Sequence, residues 1–406
     1  MSKPFSNLPS TLIVWSWLPC KNTGAGILMH RLFSGYPQDR LWALTSTQNK
    51  RAVAPYDPLP PQEHQATVPE IQIPRRWIHK LALLLNRLLI PWIVWRGVQL
   101  TRKEKIDAIF TVPWDHFTIS AYFIHAITGR PLYMYIMDDP AGTRRIGGLQ
   151  PLLYALLMPR VVRSARRIWG VSQGVCEYFE RTYGVTCLLL LPLLDLESFQ
   201  KKICRRADRT DGSFHIVFSG AVYSAQVDAL RRLVRVIDQN NRNSDEIMSL
   251  TLYTSSSAAT LKKAELVGNN VRRDEVPEED VARVLAEADI AFLPLSFESA
   301  MRHVVETSLP TKIAEYLAAG LPILVHAPSS STVARYCREN GCGLVVDEPD
   351  DAALRDALVR LRNDPALRRD LSARALTVAE ENHNASRIAQ AFLEQMSSHN
   401  SIARAG

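Results

Sequence analysis

The feature that most constrains this chain is a rhythm: short continuous apolar runs alternate with longer amphipathic stretches, and the pattern plays twice. A strand that is apolar at every position has no solvent face and must be covered on both sides. Helices between the runs supply that cover, which calls for parallel strands in doubly wound α/β layers. In the first half the pattern predicts strands at Thr11–Trp17, Ile106–Val112, Pro131–Met137, Arg167–Val171 and Leu188–Leu191. Helices are expected over Ile27–Phe33, Phe117–Thr128 and Gln173–Tyr183, the last capped by Ser172. Lys21–Gly26 reads as a turn-rich loop, and the proline-punctuated Ala54–Pro74 as a long one. The second half restarts with strands at His215–Ser219, Ser249–Tyr253, Ile290–Pro294, Ile323–His326 and Leu344–Val346. Helices are expected over Asp228–Asp238, Glu278–Ala288 and Lys312–Ala319, and again to about Ile402.

Between the halves, Lys201–Gly212 is polar and nearly without apolar residues, as a linker would be. The expected organisation is therefore two tandem Rossmann-like domains, residues 1–200 and 213–385, with a C-terminal helix over 386–406 that packs back on the first. Such domains take ligands at the carboxyl ends of their strands, here in a central cleft.

Charge separates the halves. Residues 1–200 carry 22 Lys+Arg against 13 Asp+Glu, net +9, and residues 201–406 carry 26 against 28, net −2. An acidic partner for the first half follows: a phosphorylated substrate, an anionic membrane surface or nucleic acid. The six cysteines form no C-x-x-C pair, which argues against structural zinc and a disulfide framework and favours a reducing, cytoplasmic setting. No signal peptide is expected at Met1–Ser10. The apolar tract Leu81–Trp95, broken by Asn86, Arg87 and Pro91, is shorter than the roughly 20 residues a spanning helix needs.

The most informative stretch runs from Thr307 to Val325: a loop, a helix, then a glycine-terminated return into a strand. Pro310 suits a first helical turn, and Gly320 a left-handed position after the last. Free N–H groups around Thr311–Ile313, with Ser308, Thr311 and Lys312 as further donors, would receive an anion. Glu315, one turn on, would accept hydrogen bonds from two vicinal hydroxyls. Phosphate donors followed by a diol acceptor fit a nucleoside diphosphate. An ordinary capped helix with solvated Lys312 and Glu315 fits the local chemistry equally well.

The segment resembles the donor-binding motif of the retaining glycosyltransferases of family 4, P-x-K-x-x-E-Y-x-x-x-G-x-P, at Pro310 to Pro322. Ala288 to Pro294 resembles that family's strand leading to the sugar site, and Phe214 to Gly220 its first donor-domain strand and glycine turn. Gly170 to Gln173, with Leu191-Pro192 and Asp195 to Phe199, resembles its serine-capped helix and last strand. The resemblance implies the two-domain GT-B fold, with the nucleotide-diphosphate sugar held by the second domain and a glycan or lipid-linked acceptor mainly by the first. It further implies transfer with retention in cell-envelope polysaccharide or glycolipid synthesis, with no metal and no cofactor beyond the sugar nucleotide.

Carried over by position, Gly220 is the glycine turn and Glu315 the ribose-holding glutamate, with Ser308, Thr311 and Lys312 beside it. The chain departs from the family twice. Thr307 stands where the family's sugar-contacting glutamate falls, which leaves Glu306 or Glu298 as substitutes. After Gly220, where an Arg and a Lys usually neutralise the diphosphate, the chain reads Ala221 to Val227, so Lys312, Arg302 and His303 are the nearest cations. In the first half, Gly24 and Gly26 occupy the family's glycine loop, although an ordinary strand–helix turn explains them as well. Asp115 and His116 are candidates for the chemistry, with helix capping as the plain alternative for Asp115. Asp138 and Asp139 would bind acceptor hydroxyls or cap a turn; Arg144 and Arg145 would grip an acceptor phosphate or remain solvated.

A basic amphipathic stretch, Pro74–Arg96, sets Trp77, Trp92 and Trp95 among leucines with Arg75, Arg76, Lys80, Arg87 and Arg96. That mixture suits the plane of an anionic bilayer, and favours peripheral contact with the inner face of the plasma membrane over arginines merely snorkelling from a packed helix. Nucleic acid is not expected, because the stretch carries no recognised motif. The rival readings are a sugar-nucleotide epimerase on the same fold and a non-catalytic partner subunit.

Overall fold

The computed structural model describes residues 8–21, 24–70, 85–113, 115–137, 150–203, 213–243 and 247–397. The chain divides into two compact units, residues 1–193 with 385–406, and residues 194–384.

The first unit is a seven-stranded parallel sheet: β1 Thr11–Val14, β2 Leu41–Ser46, β3 Gln65–Val68, β4 Ala108–Thr111, β5 Leu132–Ile136, β6 Ala165–Gly170 and β7 Cys187–Leu189. Its order is β3-β2-β1-β4-β5-β6-β7. The order reverses between β1 and β4, so the crevice beyond their carboxyl ends is the switch point where doubly wound sheets bind ligands. Helices α1 Gly24–Phe33, α2 Thr47–Val53, α3 Ile90–Lys103, α4 His116–Thr128, α5 Gln150–Ser164 and α6 Gln173–Tyr183 connect the strands.

The second unit has six parallel strands: β8 Phe214–Ser219, β9 Met248–Tyr253, β10 Val271–Asp274, β11 Ile290–Pro294, β12 Ile323–His326 and β13 Gly343–Val346. Their order, β10-β9-β8-β11-β12-β13, puts the switch point between β8 and β11. Its helices are α7 Leu196–Gln200, α8 Ser224–Asn243, α9 Ala258–Lys263, α10 Val281–Ala286, α11 Arg302–Thr307, α12 Lys312–Ala318, α13 Thr332–Asn340, α14 Asp351–Asn363 and α15 Pro365–Asn382.

The last helix, α16 Ala385–Ser397, belongs to the first unit. Phe392 is fully buried there against Phe33, Phe110 and Trp169, with ring centroids 5.4, 6.0 and 5.0 Å away. Gln395 fixes the register by accepting from Trp169 Nε1 at 2.7 Å and from Arg167 through its carbonyl at 2.8 Å.

Central strands β1, β4, β5, β8, β11 and β12 are buried at every residue, which is why each reads as a mainly apolar run. The edges correct the sequence reading. The stretch expected as one loop, Ala54–Pro74, contains edge strand β3, whose middle residues Ala66 and Thr67 are only half-buried. Strand β10, with Arg272 and Arg273 exposed, likewise lacks an apolar signature. Strand β2 and helix α2 carry ordinary apolar and capping signals that the reading passed over; Ser46 Oγ accepts from Asn49 N. Ser172 caps α6 through Val175 N at 3.0 Å, as expected.

Among the described residues no helix is long and apolar enough to cross a membrane. The five described cysteines are free.

Candidate functional site

Strand β8 ends at Ser219, and the chain then turns at Gly220 with φ of +127°, a conformation that a side chain would strain. The turn rests against Lys312. A Cβ placed on Gly220 would lie 3.5 Å from Lys312 Cγ and 3.6 Å from Cε, so the lysine stem passes directly beneath the glycine. Lys312 opens α12, and three residues later Glu315 meets it: the ammonium donates to the two carboxylate oxygens at 3.0 and 3.3 Å. Glu315 is 9% exposed, so its charge is held in place largely by that lysine.

One further residue, Tyr316, locks the helix to the turn. Its hydroxyl accepts from Ser219 N at 2.7 Å, and the side chain has no exposed surface. Burial raises its pKa well above the ordinary tyrosine value, so it stays a neutral hydroxyl. Ser219 Oγ, buried beside it, has no hydrogen-bond partner among the described residues. A glycine turn, a cation, a carboxylate and an unused hydroxyl thus gather at the carboxyl end of β8, beside the switch point. The set can neutralise a diphosphate and accept hydrogen bonds from a diol.

The helix start differs from the sequence expectation. Ile313 N is not free; it donates to Pro310 O at 3.0 Å, because Thr311 adopts a helical conformation and the first turn closes early. Thr311 makes no side-chain cap, and Ser308 N is bound to Val304 O at 2.8 Å. The Ile313 amide is thus removed from the expected row of free donors, and Lys312 supplies the charge at this end of the helix. Gly320 sits at φ +63° after the helix, as read.

The departures from the family pattern are visible in space. Thr307 is buried and its hydroxyl donates to His303 O at 2.9 Å, so it satisfies its own helix. Arg302 and Glu306, one turn apart on α11, pair with each other at 2.8 Å on an exposed face. His303 lies beside them, half-buried, on the same helix. Glu298 is exposed on the loop after β11.

That loop has anchors the sequence reading missed. Asp228, early in α8, accepts from Phe297 N at 2.9 Å, and the Phe297 ring lies 4.7 Å from His326 at the end of β12. His326 is fully buried, donates through Nδ1 to Val346 O at 3.1 Å, and its Nε2 has no partner among the described residues. Burial, with help from the Arg232 cation, lowers its pKa to about 4. An aspartate four positions into a helix and a histidine closing an apolar strand were the available signals.

In the first unit, Asp115 is a cap: its Oδ1 accepts from Phe117 N at 2.8 Å at the start of α4. This is the helix cap given above as the plain alternative for Asp115, and it engages one of the two carboxylate oxygens. His116 follows it, with Nε2 buried and lacking a partner among the described residues. Gly24 begins α1 with open space about it, while Gly26 is buried and accepts from Cys20 N at 3.1 Å. Lys21 pairs with Asp57 at 2.6 Å, and His30 Nε2 stands 3.6 Å from the same carboxylate. Trp92 and Trp95 are exposed on α3. Asp138, Asp139, Arg144, Arg145, Arg75, Arg76, Trp77 and Lys80 lie outside the described residues.

Residues 213–364 match the family model described as glycosyl transferases group 1. No curated protein matches the chain by sequence. Among solved structures, the chain is similar to HepE of Anabaena in complex with UDP and glucose, at a TM-score of 0.65 and 15% identity, covering 96% of this chain and 100% of that one. It is similar to sucrose-phosphate synthase of Thermosynechococcus elongatus, at 0.67 and 15%, covering 98% and 100%. A third likeness is to WaaG, a glycosyltransferase involved in lipopolysaccharide biosynthesis, at 0.60 and 13%, covering 95% and 99%. At these identities the likeness establishes the fold: two Rossmann-like units of the GT-B class.

Proposed function

We propose that the protein transfers a sugar from a nucleoside-diphosphate sugar to a glycan or lipid-linked acceptor, a reading supported by the match of residues 213–364 to the model of the glycosyl transferases of group 1. The observation that carries this reading is the convergence of Gly220, Lys312 and Glu315, held by Tyr316. On donor binding, the Lys312 ammonium exchanges a carboxylate oxygen for diphosphate oxygens. Glu315, freed from its lysine, accepts the two ribose hydroxyls. Gly220 admits the phosphates because no side chain stands between them and the backbone. HepE, solved with UDP, makes uridine diphosphate the first nucleotide to try.

Transfer proceeds with retention. The acceptor hydroxyl attacks from the face the diphosphate leaves, and the departing phosphate oxygen takes its proton, so no dedicated base is needed. The protein's own contribution is charge, supplied by Lys312, and no resident metal is invoked. The acceptor is phosphorylated or membrane-borne, handled by the first unit at the inner face of the plasma membrane in cell-envelope polysaccharide or glycolipid synthesis. The net charge of +9 over residues 1–200 supports this part.

A panel of nucleotide sugars, incubated with and without membrane extract and followed by product mass spectrometry, tests the reading. Transfer of one sugar only when extract is present is the expected result. Isomerised donor in the absence of acceptor would make the protein an epimerase. No turnover with any donor would make it a partner subunit, the outcome that Thr307 and the Ala221–Val227 stretch would then explain.

A further inference from the structure

The loop that follows β11 is held more firmly than an exposed loop requires, because the amides of four consecutive residues are all engaged. Leu295 N donates to His326 O at 3.0 Å, and Ser296 N to Ala225 O at 2.8 Å. Phe297 N donates to Asp228 Oδ2 at 2.9 Å, and Glu298 N to Ser296 Oγ at 3.1 Å. The Glu298 carbonyl then accepts from Met301 N at 2.9 Å, closing a short 3-10 turn over Ser299–Met301. Ser296 is buried, and the Phe297 ring lies 4.7 Å from the buried His326. Glu298 is therefore an exposed carboxylate carried on an ordered support.

Two of these anchors, Ala225 and Asp228, sit at the start of α8, the helix into which the Gly220 turn leads. The glycine turn and the loop after β11 thus share one frame, on the two sides of the switch point between β8 and β11. Other groups nearby in the chain are already engaged. Glu306 pairs with Arg302 at 2.8 Å, Thr307 donates to His303 O at 2.9 Å, and Glu315 meets Lys312 at 3.0 Å. The Glu298 carboxylate has no hydrogen bond or ion pair among the described residues. An ionised carboxylate offers two oxygens that only accept, so its natural ligand is a group with neighbouring hydroxyls. On the reading above, Lys312 and Gly220 take the diphosphate and Glu315 the ribose. The part of a nucleoside-diphosphate sugar then left without an acceptor is the sugar ring.

We propose that Glu298 accepts hydrogen bonds from hydroxyls of the transferred sugar, and that Asp228, acting through Phe297 N, is the positioning residue that sets its place. This rests on the donor reading above and adds the group that tells a sugar nucleotide from the bare nucleotide. Nucleotide affinity and sugar affinity are thereby separable: one belongs to α12 and the Gly220 turn, the other to the loop after β11.

The test is calorimetry of the full chain, in EDTA, with UDP, GDP, ADP and TDP and with the glucose conjugate of each. E298A should bind the glucose conjugate about tenfold more weakly than the wild type and the matching nucleoside diphosphate equally well. Glu298 is exposed, so thermal unfolding of E298A should match the wild type. D228A should show the same tenfold loss, and D228A/E298A no further loss, because both substitutions remove one contact. D228N keeps an acceptor for Phe297 N and should restore most of the preference; equal weakening of both ligands in D228A, without rescue, would make Asp228 merely structural and overturn its positioning role. If E298A leaves both affinities unchanged, or lowers both alike, the sugar assignment falls while the donor reading stands. If the E298A effect appears only when magnesium replaces EDTA, Glu298 is a metal ligand and the hydroxyl assignment falls. If the wild type binds none of these ligands, the donor reading falls and takes the assignment with it.

Discussion

At the switch point of the second unit, the turn after β8 meets Lys312 and Glu315, and Tyr316 ties them together from below. At the switch point of the first, Asp115, four residues past the end of β4, caps α4 through one carboxylate oxygen. The two sheets follow the same strand plan, yet their ion pairs differ: Lys312–Glu315 in the second unit is largely buried, whereas Lys21–Asp57 in the first is exposed. The first is strongly basic: residues 1–193 with 385–406 carry 24 Lys+Arg against 12 Asp+Glu, net +12, whereas residues 194–384 carry 24 against 29, net −5. On the function proposed above, one fold repeated separates two tasks. A buried carboxylate with a single cationic partner recognises a small ligand of defined geometry, whereas a spread of exposed cations recognises an extended anionic surface.

The largest expected effect bears on the buried side of this contrast. His326 titrates at about 4 in the folded chain and near 6.5 unfolded, facing Asp228, Arg232 and Asp351. The unfolded chain therefore binds the proton first, and stability falls as pH drops from about 6.5 towards 4. The loss approaches about 3 kcal/mol from this one group. Chemical denaturation across that range should show H326Q with a correspondingly shallower pH slope; an unchanged slope would remove the assignment.

Next comes E315A, which takes away the diol acceptor and leaves Lys312 unpaired. Affinity for the cognate nucleoside diphosphate should fall about 10- to 100-fold, the worth of hydrogen bonds to a charged group. Calorimetry reads this directly, and equal affinity would detach Glu315 from the site. Y316F deletes the acceptor of Ser219 N. It should cost about 1–2 kcal/mol of stability and weaken nucleotide binding as the Gly220 turn loosens. A stability loss with wild-type affinity would mean that the tether is only structural. The smallest effect is D115A in the first unit, about 1 kcal/mol in unfolding for a lost cap, with nucleotide affinity unchanged. A large drop in affinity from D115A would erase the contrast between the units.

Much of this was legible in the residues because burial on both faces writes a mainly apolar run, as in Ile290–Pro294 or Ile323–His326. The motif from Pro310 to Pro322 was legible through its resemblance to the family pattern, since the spacing of Lys312 and Glu315 by itself fits an ordinary capped helix equally well. Edge strands β3 and β10 were not, since a strand with one open edge and half-exposed residues has no periodic demand to meet. Nor were the long-range links. Ser219 and Tyr316 are 97 positions apart, and Asp228 and Phe297 are 69 apart. Nothing in local spacing announces such pairs; only the parallel topology brings them together. The Ile313 amide shows the opposite error, in which a helix-start pattern promised a free donor that Pro310 O had already taken.

The most direct measurement is calorimetric titration of the full chain with UDP, GDP, ADP and TDP in turn. The account predicts one-to-one binding of at least one of them, weakened by E315A. Failure of all four to bind the folded wild type would contradict it.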